Sequence, residues 1–150
     1  MSLLNSLTEE LKDAMRAKDS LKLEALRAIK SAVLLAKTAS AGGAELSEEE
    51  EIKLLQKLVK QRKDSALIFR EQNRDDLATP EEAQAEVIAK FLPEQLTVEA
   101  IEKIIDNIIA ETLAEGMKDM GKVMGMASKE MSGKADGKTI SLIVKQRLNA

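Results

Sequence analysis

The side chains best suited to binding chemistry are the basic residues near the C-terminal end. Residues 116–150 contain seven Lys and Arg against three Asp and Glu, a formal charge of +4, while the rest of the chain carries −7. Clustered cations of this kind attract anionic partners such as nucleic-acid phosphates. The candidate phosphate contacts are Lys118, Lys122, Lys129, Lys134, Lys138, Lys145 and Arg147. Residues 12–37 and 57–74 also carry +4 each, so charge alone does not single out this end.

A helix over residues 117–131 would place several of these side chains on one face. At ~100° per residue, three lysines would lie within about 40° of one another: Lys118, Lys122 and Lys129. Four methionines would lie within about 60° on nearly the opposite side: Met117, Met120, Met124 and Met131. The lysine face is either a phosphate contact or a solvated surface, and the methionine face is either core or a docking face. Gly121 and Gly125, between the two faces, predict close helix approach or a break in the helix.

A glycine-spaced segment near the C-terminus resembles a phosphate-binding loop but lacks its spacing. The nucleotide-binding motif has four residues between its glycines and follows a strand. Here three residues separate Gly133 from Gly137, and the segment follows a predicted helix. We predict instead that Asp136 caps the N-terminus of the last helix. That N-terminus, flanked by Lys134 and Lys138, could hold one nucleic-acid phosphate.

The composition excludes most catalytic and metal chemistry. The chain has no Cys, His, Trp or Tyr, and only two Phe. Disulfides, Cys/His zinc sites and nucleophile–histidine dyads are therefore impossible, and RNA modules that stack bases on aromatic side chains are nearly excluded. The acidic run 48–51 is interpreted as the first turn of a helix, where carboxylates complement the dipole, rather than as a metal site. The sequence predicts no catalytic residue, no cofactor and no metal.

The candidate residues lie on predicted helices or on the turns between them. The chain is rich in strong helix formers, has only two Pro, and no stretch alternates with a period of two residues. Capping patterns at Ser6, Ser47 and Thr97 predict helix starts, and the Thr-Pro-Glu-Glu run at 79–82 predicts another. Gly116 is predicted to close the helix that begins at Thr97. The sequence therefore predicts an all-α fold.

A domain boundary is predicted between Leu92 and Pro93. Four predicted helices precede this point and three shorter ones follow it. This arrangement predicts an N-terminal four-helix bundle-like domain over residues 1–92 and a small three-helix domain over residues 93–150. One continuous bundle is the alternative.

The chain carries no predicted membrane or targeting segment. Its longest apolar run, from Ala32 to Ala36, is far too short to span a bilayer. The first residues include Glu9, Glu10 and Asp13 without an apolar run behind a basic start, so no signal or transit peptide is predicted. The absence of Cys is consistent with a reducing compartment. We therefore predict a soluble cytoplasmic protein.

Five short motifs, in order and over essentially the whole chain, resemble the YqeY-like family. They occupy residues 46–51, 60–65, 91–96, 117–124 and 133–137. The part from about Pro93 is similar to the tail domain of the B subunit of the tRNA-dependent amidotransferase (GatB), which converts glutamate or aspartate charged on tRNA to the amide. The resemblance implies two all-helical domains. For six residues, the resemblance implies a place in the tail fold and contact with tRNA but no catalytic role: Gly121, Lys122, Gly133, Asp136, Gly137 and Lys138.

The basic segment and the resemblance together predict a non-catalytic helical module. It would bind tRNA or an aminoacyl-tRNA–enzyme complex through residues 93–150, with an affinity that falls steeply with salt. One alternative is a protein-interaction adaptor without nucleic-acid binding, whose methionine face receives a partner helix. A third interpretation is an accessory component of a glutamine-dependent tRNA amidotransferase, a carbon–nitrogen ligase, that is active only with partner subunits. The sequence shows neither an ammonia source nor a nucleotide site for such a reaction.

Overall fold

The structure, a computed structural model, describes residues 3–149 apart from the side chain of residue 41. The described residues form α-helices joined by turns and contain no strand, which confirms the all-α prediction. The α-helices of this part of the chain are α1 (Leu3–Arg16), α2 (Ser20–Ala39), α3 (Glu48–Glu71), α4 (Asp75–Ala89), α5 (Val98–Thr112), α6 (Met120–Glu130) and α7 (Gly137–Leu148). Short 3-10 helices lie at Ala41–Gly43 and at Met117–Asp119.

The chain divides into two compact units, and each has its own hydrophobic core. Unit 1 is Met1–Leu92 and contains α1 to α4, whereas unit 2 is Pro93–Ala150 and contains α5 to α7. One cluster of buried apolar side chains draws on all four helices of unit 1, and a separate cluster draws on the three helices of unit 2. Burial of apolar surface therefore stabilises each unit through its own residues.

In unit 1, α2 contacts each of the other three helices. Its Leu26 and Ile29 are completely buried, and they share one core cluster with Leu55 of α3 and Ile88 of α4. These apolar side chains recur at spacings of three and four residues, which places them on one face of each helix. The central position of α2 follows from this buried face.

Two predicted helix starts are confirmed by capping bonds. At the start of α3, the backbone N–H of Glu50 donates to Ser47 Oγ at 3.2 Å, and the backbone N–H of Ser47 donates to Glu50 Oε2 at 2.8 Å. This reciprocal pair satisfies backbone donors that have no partner within the helix. The side chain of Thr97 caps α5 by accepting from the backbone N–H of Ala100 at 3.2 Å.

Two other predicted helix starts are wrong. α1 begins at Leu3, so Ser6 lies inside the helix rather than before it. α4 begins at Asp75 and continues through Pro80, so it starts more than one turn before the position that the local pattern predicts. Ala78 is fully buried and α4 packs along α3, so this packing keeps the segment helical although Pro80 lacks an N–H to donate.

In unit 2, each of the three helices contacts the other two. Ile105, Val123 and Val144, one from each helix, are completely buried in the core. α5 ends just before Leu113, which adopts a left-handed φ of 55°, and not at Gly116 as predicted. The chain must turn back here for α6 to pack on α5, and this tertiary requirement sets the end of the helix.

Ionised carboxylates contribute to the stability of unit 1. The backbone hydrogen bond from Ser47 lowers the pKa of Glu50, and the hydrogen bond from the Arg70 side chain lowers the pKa of Glu82. A carboxylate with a lower pKa in the folded state stabilises that state above its unfolded pKa. The contribution disappears as the pH falls through the folded pKa.

We therefore expect the free energy of unfolding to be nearly constant between about pH 6 and 8 and to fall below about pH 4. No His is present to titrate in the neutral range. Urea unfolding followed by far-ultraviolet circular dichroism at a series of pH values measures this dependence. Glu82→Gln should show a smaller acid-induced loss than the native chain. A decline between pH 8 and 6 would contradict the expectation.

Candidate nucleic-acid interface

The seven predicted phosphate-contacting residues all lie in unit 2, and all are exposed. In chain order they occupy the second 3-10 helix (Lys118), α6 (Lys122, Lys129), the loop before α7 (Lys134) and α7 (Lys138, Lys145, Arg147). They differ in whether an acidic side chain already neutralises them, and this difference decides which are available to a ligand.

Helix α6 turns its lysines away from the core. Lys122 and Lys129 lie on the side opposite the buried Val123 and Ala127, and no carboxylate of residues 3–149 lies within 4 Å of either ammonium group. The single helix predicted over 117–131 is wrong, because a 3-10 helix over Met117–Asp119 precedes α6. Lys118 belongs to that 3-10 helix and pairs with Glu115 at 3.4 Å.

Helix α7 also presents two lysines to solvent. Lys138 and Lys145 lie opposite the buried Ile140 and Val144, and within the described residues neither forms an ion pair. Leu142, 52% exposed, lies between them on the same face. The outer face of α7 therefore combines two free charges with an apolar side chain.

Arg147 differs from the lysines of α7 because it is paired. Its Nε donates to Asp106 Oδ1 at 2.8 Å, and its Nη2 donates to Asp106 Oδ2, which makes the contact bidentate. The hydrogen bond from Arg147 lowers the pKa of Asp106, and the same hydrogen bond, with the negative charge of Asp106, raises the pKa of Arg147. The pair joins α7 to α5 across 41 positions, so no local pattern predicts it.

Two of the sequence motifs meet at the loop before α7. The backbone N–H of Leu96 donates to the carbonyl oxygen of Lys134 at 2.9 Å, and Gln95 Nε2 donates to the carbonyl oxygen of Gly133 at 2.9 Å. These bonds hold the main chain of the loop, while the side chain of Lys134 stays exposed. The motifs at 91–96 and 133–137 therefore form one structural contact that positions a cation.

Asp136 caps α7, as predicted. Its carboxylate accepts from the backbone N–H of Thr139 at 3.2 Å and also from Thr139 Oγ1. The carboxylate therefore occupies the N-terminus of α7, where the sequence had raised the possibility of a bound phosphate. A phosphate at that point would be repelled at short range, so the side chains of Lys134 and Lys138 are better suited to an anion than the helix end.

The methionine face lies largely within the core of unit 2. Met131 is completely buried, Met120 and Met124 are half-buried against the same cluster, and Met117 is 43% exposed. For three of the four methionines, burial favours the core interpretation over a docking face. A Cβ added at either Gly121 or Gly125 would meet no atom within 4 Å, so the predicted close approach of another helix is absent from the described residues.

Unit 2 is electrically asymmetric. Residues 93–115 contain six acidic side chains and one basic one, whereas residues 116–150 carry +4. Five exposed side chains on the basic part form no ion pair within residues 3–149, and we refer to them as the unpaired lysines of unit 2: Lys122, Lys129, Lys134, Lys138 and Lys145. These charges are free to bind an external anion.

Other types of site have less support. The described residues contain no group of three His, Cys, Asp or Glu side chains that could hold a metal ion, and none of their helices is long and apolar enough to cross a membrane. A shallow depression of about 450 Å³ lies between α2 and α3. Two of its polar groups already serve α3, because Glu50 belongs to the capping box and Lys53 pairs with Glu49 at 2.9 Å.

Comparison with known protein families identifies the family to which the chain belongs. The sequence profile described as "Yqey-like protein" matches residues 4–148. The chain therefore belongs to the YqeY-like family, and the resemblance inferred from the five motifs is confirmed.

Curated relatives share this part of the sequence and are longer. The protein named "Altered inheritance of mitochondria protein 41, mitochondrial" from Clavispora lusitaniae is 42% identical over 103 residues, which cover 69% of this chain and 58% of the relative. The protein of the same name from Meyerozyma guilliermondii is 37% identical over 89 residues, covering 59% and 46%. Its namesake from Saccharomyces cerevisiae is 36% identical over 94 residues, covering 63% and 50%. The chain thus spans about half the length of the curated relatives it matches.

The prediction of a cytoplasmic location is wrong on this comparison. The relatives from all three yeasts are named as mitochondrial proteins. The prediction rested on the missing Cys and on the composition of the first residues. Those features do not determine a compartment, because cellular receptors read separate address segments rather than the composition of the folded protein.

Proposed function

We propose that the chain is a non-catalytic helical module that binds tRNA, alone or in a tRNA–enzyme complex, through residues 93–150. The observation that carries the proposal is the set of unpaired lysines of unit 2. These side chains have no internal counter-anion, and RNA phosphates are anions that clustered lysines bind. The similarity of this part of the chain to the amidotransferase tail supports the same ligand.

The chemistry of unit 2 limits how tRNA is recognised. Both Phe residues of the chain, Phe69 and Phe91, precede residue 93, so unit 2 has no aromatic side chain on which a base can stack. Recognition then depends on phosphate contacts and on the shape of the RNA rather than on the reading of individual bases. We expect weak discrimination among tRNA species and a strong dependence on salt.

Titration of labelled tRNA at about 50 and 200 mM salt tests this function. Lys122→Glu and Lys129→Glu should each weaken binding and reduce the slope of log affinity against log salt by about 1, because each removes a phosphate contact. Lys103→Glu is the matched control. Lys103 is exposed on α5, has no ion pair within residues 3–149, and lies on the acidic part of the same unit.

Two results would contradict the assignment of phosphate contacts to the lysines of α6. Affinity could be unchanged in both α6 variants, or Lys103→Glu could weaken binding as much as they do, which would indicate only a general effect of net charge. Competition with double-stranded DNA separates a preference for tRNA from attraction to any polyanion. Failure of the native chain to bind tRNA even at low salt would reject the function.

The same proposal includes a division of the chain into two domains and an accessory role beside a partner enzyme. We infer that the two units are separate domains, a four-helix domain over residues 1–92 and a three-helix domain over residues 93–150, and their separate cores support this. An accessory role beside the subunits of a tRNA amidotransferase is compatible with such a module and rests on the resemblance. The burial of Met131 is evidence against an adaptor that docks a helix on the methionine face.

A further inference from the structure

The segment that joins the two units is very short. Phe91 and Leu92 are partly buried against the core of unit 1, and each of their backbone N–H groups donates to a carbonyl oxygen of α4 at 3.0 Å. Leu96 is partly buried against the core of unit 2. The chain is therefore fixed to one core up to residue 92 and to the other core from residue 96. Only residues 93–95 lie between the two anchors.

These three residues have few backbone restraints. All three are exposed, and none of residues 3–149 accepts a hydrogen bond from the backbone N–H of Glu94 or Gln95. Pro93 has no N–H to donate, but its ring holds its φ at about −65°. The backbone freedom of the segment therefore lies mainly in Glu94 and Gln95.

The side chain of Gln95 restrains this segment. Its Nε2 donates to the carbonyl oxygen of Pro93 at 2.6 Å and to that of Gly133 at 2.9 Å. Both hydrogen atoms of the amide group are used in this way, one within the segment and one on the loop before α7. Because both partners are carbonyl oxygens, which only accept, the NH₂ group of an amide can bond both at once. We refer to this pair of bonds as the Gln95 clasp.

The clasp ends on a buried part of unit 2. Gly133 is buried, and its φ of 78° is a conformation that other residues rarely adopt. The carbonyl oxygen of the next residue, Lys134, accepts from the backbone N–H of Leu96 at 2.9 Å. The loop before α7 therefore holds the side chain of Gln95 and the backbone of Leu96 together. With the clasp closed, Glu94 is the main point of rotation, and with the clasp open, Gln95 rotates as well.

We propose that residues 93–95 are a hinge between the two units and that the Gln95 clasp sets how far this hinge can rotate. Gln95 is exposed, so water competes for its amide and the clasp opens readily. The same bonds hold the loop of Gly133, so whatever stabilises that loop also restricts the hinge, and the coupling is reciprocal. The proposal rests on the division into two domains that belongs to the proposed function, but not on tRNA binding.

The first test opens the clasp with Gln95→Glu, whose carboxylate would repel both carbonyl oxygens. By nuclear magnetic resonance on the full chain, the Leu96 amide proton should exchange at least about fivefold faster, while the core amides of Ile105 and Val144 should not change. The backbone order parameter at position 95 should fall from about 0.85 to below about 0.6. Gln146→Glu adds the same charge at an exposed position of α7 and is the control.

Gln95→Ala, which removes the two bonds without adding charge, should accelerate Leu96 exchange in the same selective way. Unchanged exchange at Leu96 in both Gln95 variants would overturn the clasp. Equal acceleration at Leu96 and at the core amides would also overturn it, because it would show a general loss of stability in unit 2.

The second test measures the hinge itself. The chain has no Cys, so Lys60→Cys and Lys145→Cys place one spin label on an exposed position of each unit. Double electron–electron resonance then gives the distribution of distances between the labels, which should be wider with Gln95→Glu than with Gln146→Glu. A broad distribution that Gln95→Glu does not widen would overturn the role of the clasp and leave the two domains standing. A narrow distribution in every variant would show one rigid body and reject the domain division itself.

Discussion

Ile105→Ala is expected to destabilise residues 93–150 by about 2–5 kcal/mol while leaving residues 1–92 as stable as before. Ile105 is completely buried in the core that α5, α6 and α7 share. Its truncation removes transfer free energy and leaves a cavity that the surrounding helices fill only in part. A small three-helix unit has a net stability of only a few kcal/mol, so most of it would be lost.

The reciprocal variant gives the control. Ile29→Ala removes an equally buried side chain from the core of unit 1 and should destabilise residues 1–92 alone. Hydrogen exchange read by mass spectrometry separates the two units by their peptides, which matters because the chain has no Trp or Tyr to report unfolding. Loss of protection in both units from either variant would show one cooperative structure and reject the proposal of two domains.

Gly133→Ala is expected to destabilise unit 2 by about 1–3 kcal/mol. Gly133 has a φ of 78°, a conformation in which a Cβ crowds the following carbonyl oxygen. The residue is also buried, and its carbonyl oxygen accepts the hydrogen bond from Gln95. Strain at this position would therefore disturb the loop that presents Lys134.

The second glycine of the same motif should respond in the opposite direction. Gly137 lies in the first turn of α7, and a Cβ added there would meet no atom within 4 Å. Gly137→Ala should be neutral or stabilising by up to about 1 kcal/mol, because Ala loses less conformational freedom in a helix. Urea unfolding of the two variants measures the difference. Equal destabilisation by both substitutions would contradict this account of Gly133.

Predictions from the sequence are accurate where an interaction joins residues close together in the chain, and they fail where it joins residues far apart. Ser47, Thr97 and Asp136 were recognised as helix caps, because each accepts from a backbone N–H three residues ahead and the whole motif is local. The start of α4 was misplaced because contact with α3 extends that helix past a sequence that by itself favours a start at residues 79–80.

The candidate site was predicted only in part. The sequence identified Lys122 and Lys129 as neighbours on one helix face, which the period of an α-helix alone requires. It did not identify Lys118 or Arg147 as paired residues. The partner of Arg147 is Asp106, 41 positions away, and the 3-10 helix that carries Lys118 interrupts the expected helix.

The sequence by itself determined the all-α class, the family, several helix caps and the helix face shared by Lys122 and Lys129. These depend on composition and on spacings of three or four residues, which fix a helix face without reference to the rest of the chain. The tertiary structure alone decided that Met131 is core, that Arg147 is neutralised by Asp106, and that Gln95 holds the loop of Gly133. Each of these contacts joins segments far apart in the chain. Their partners are selected by the packing of whole helices, and no local pattern encodes that packing.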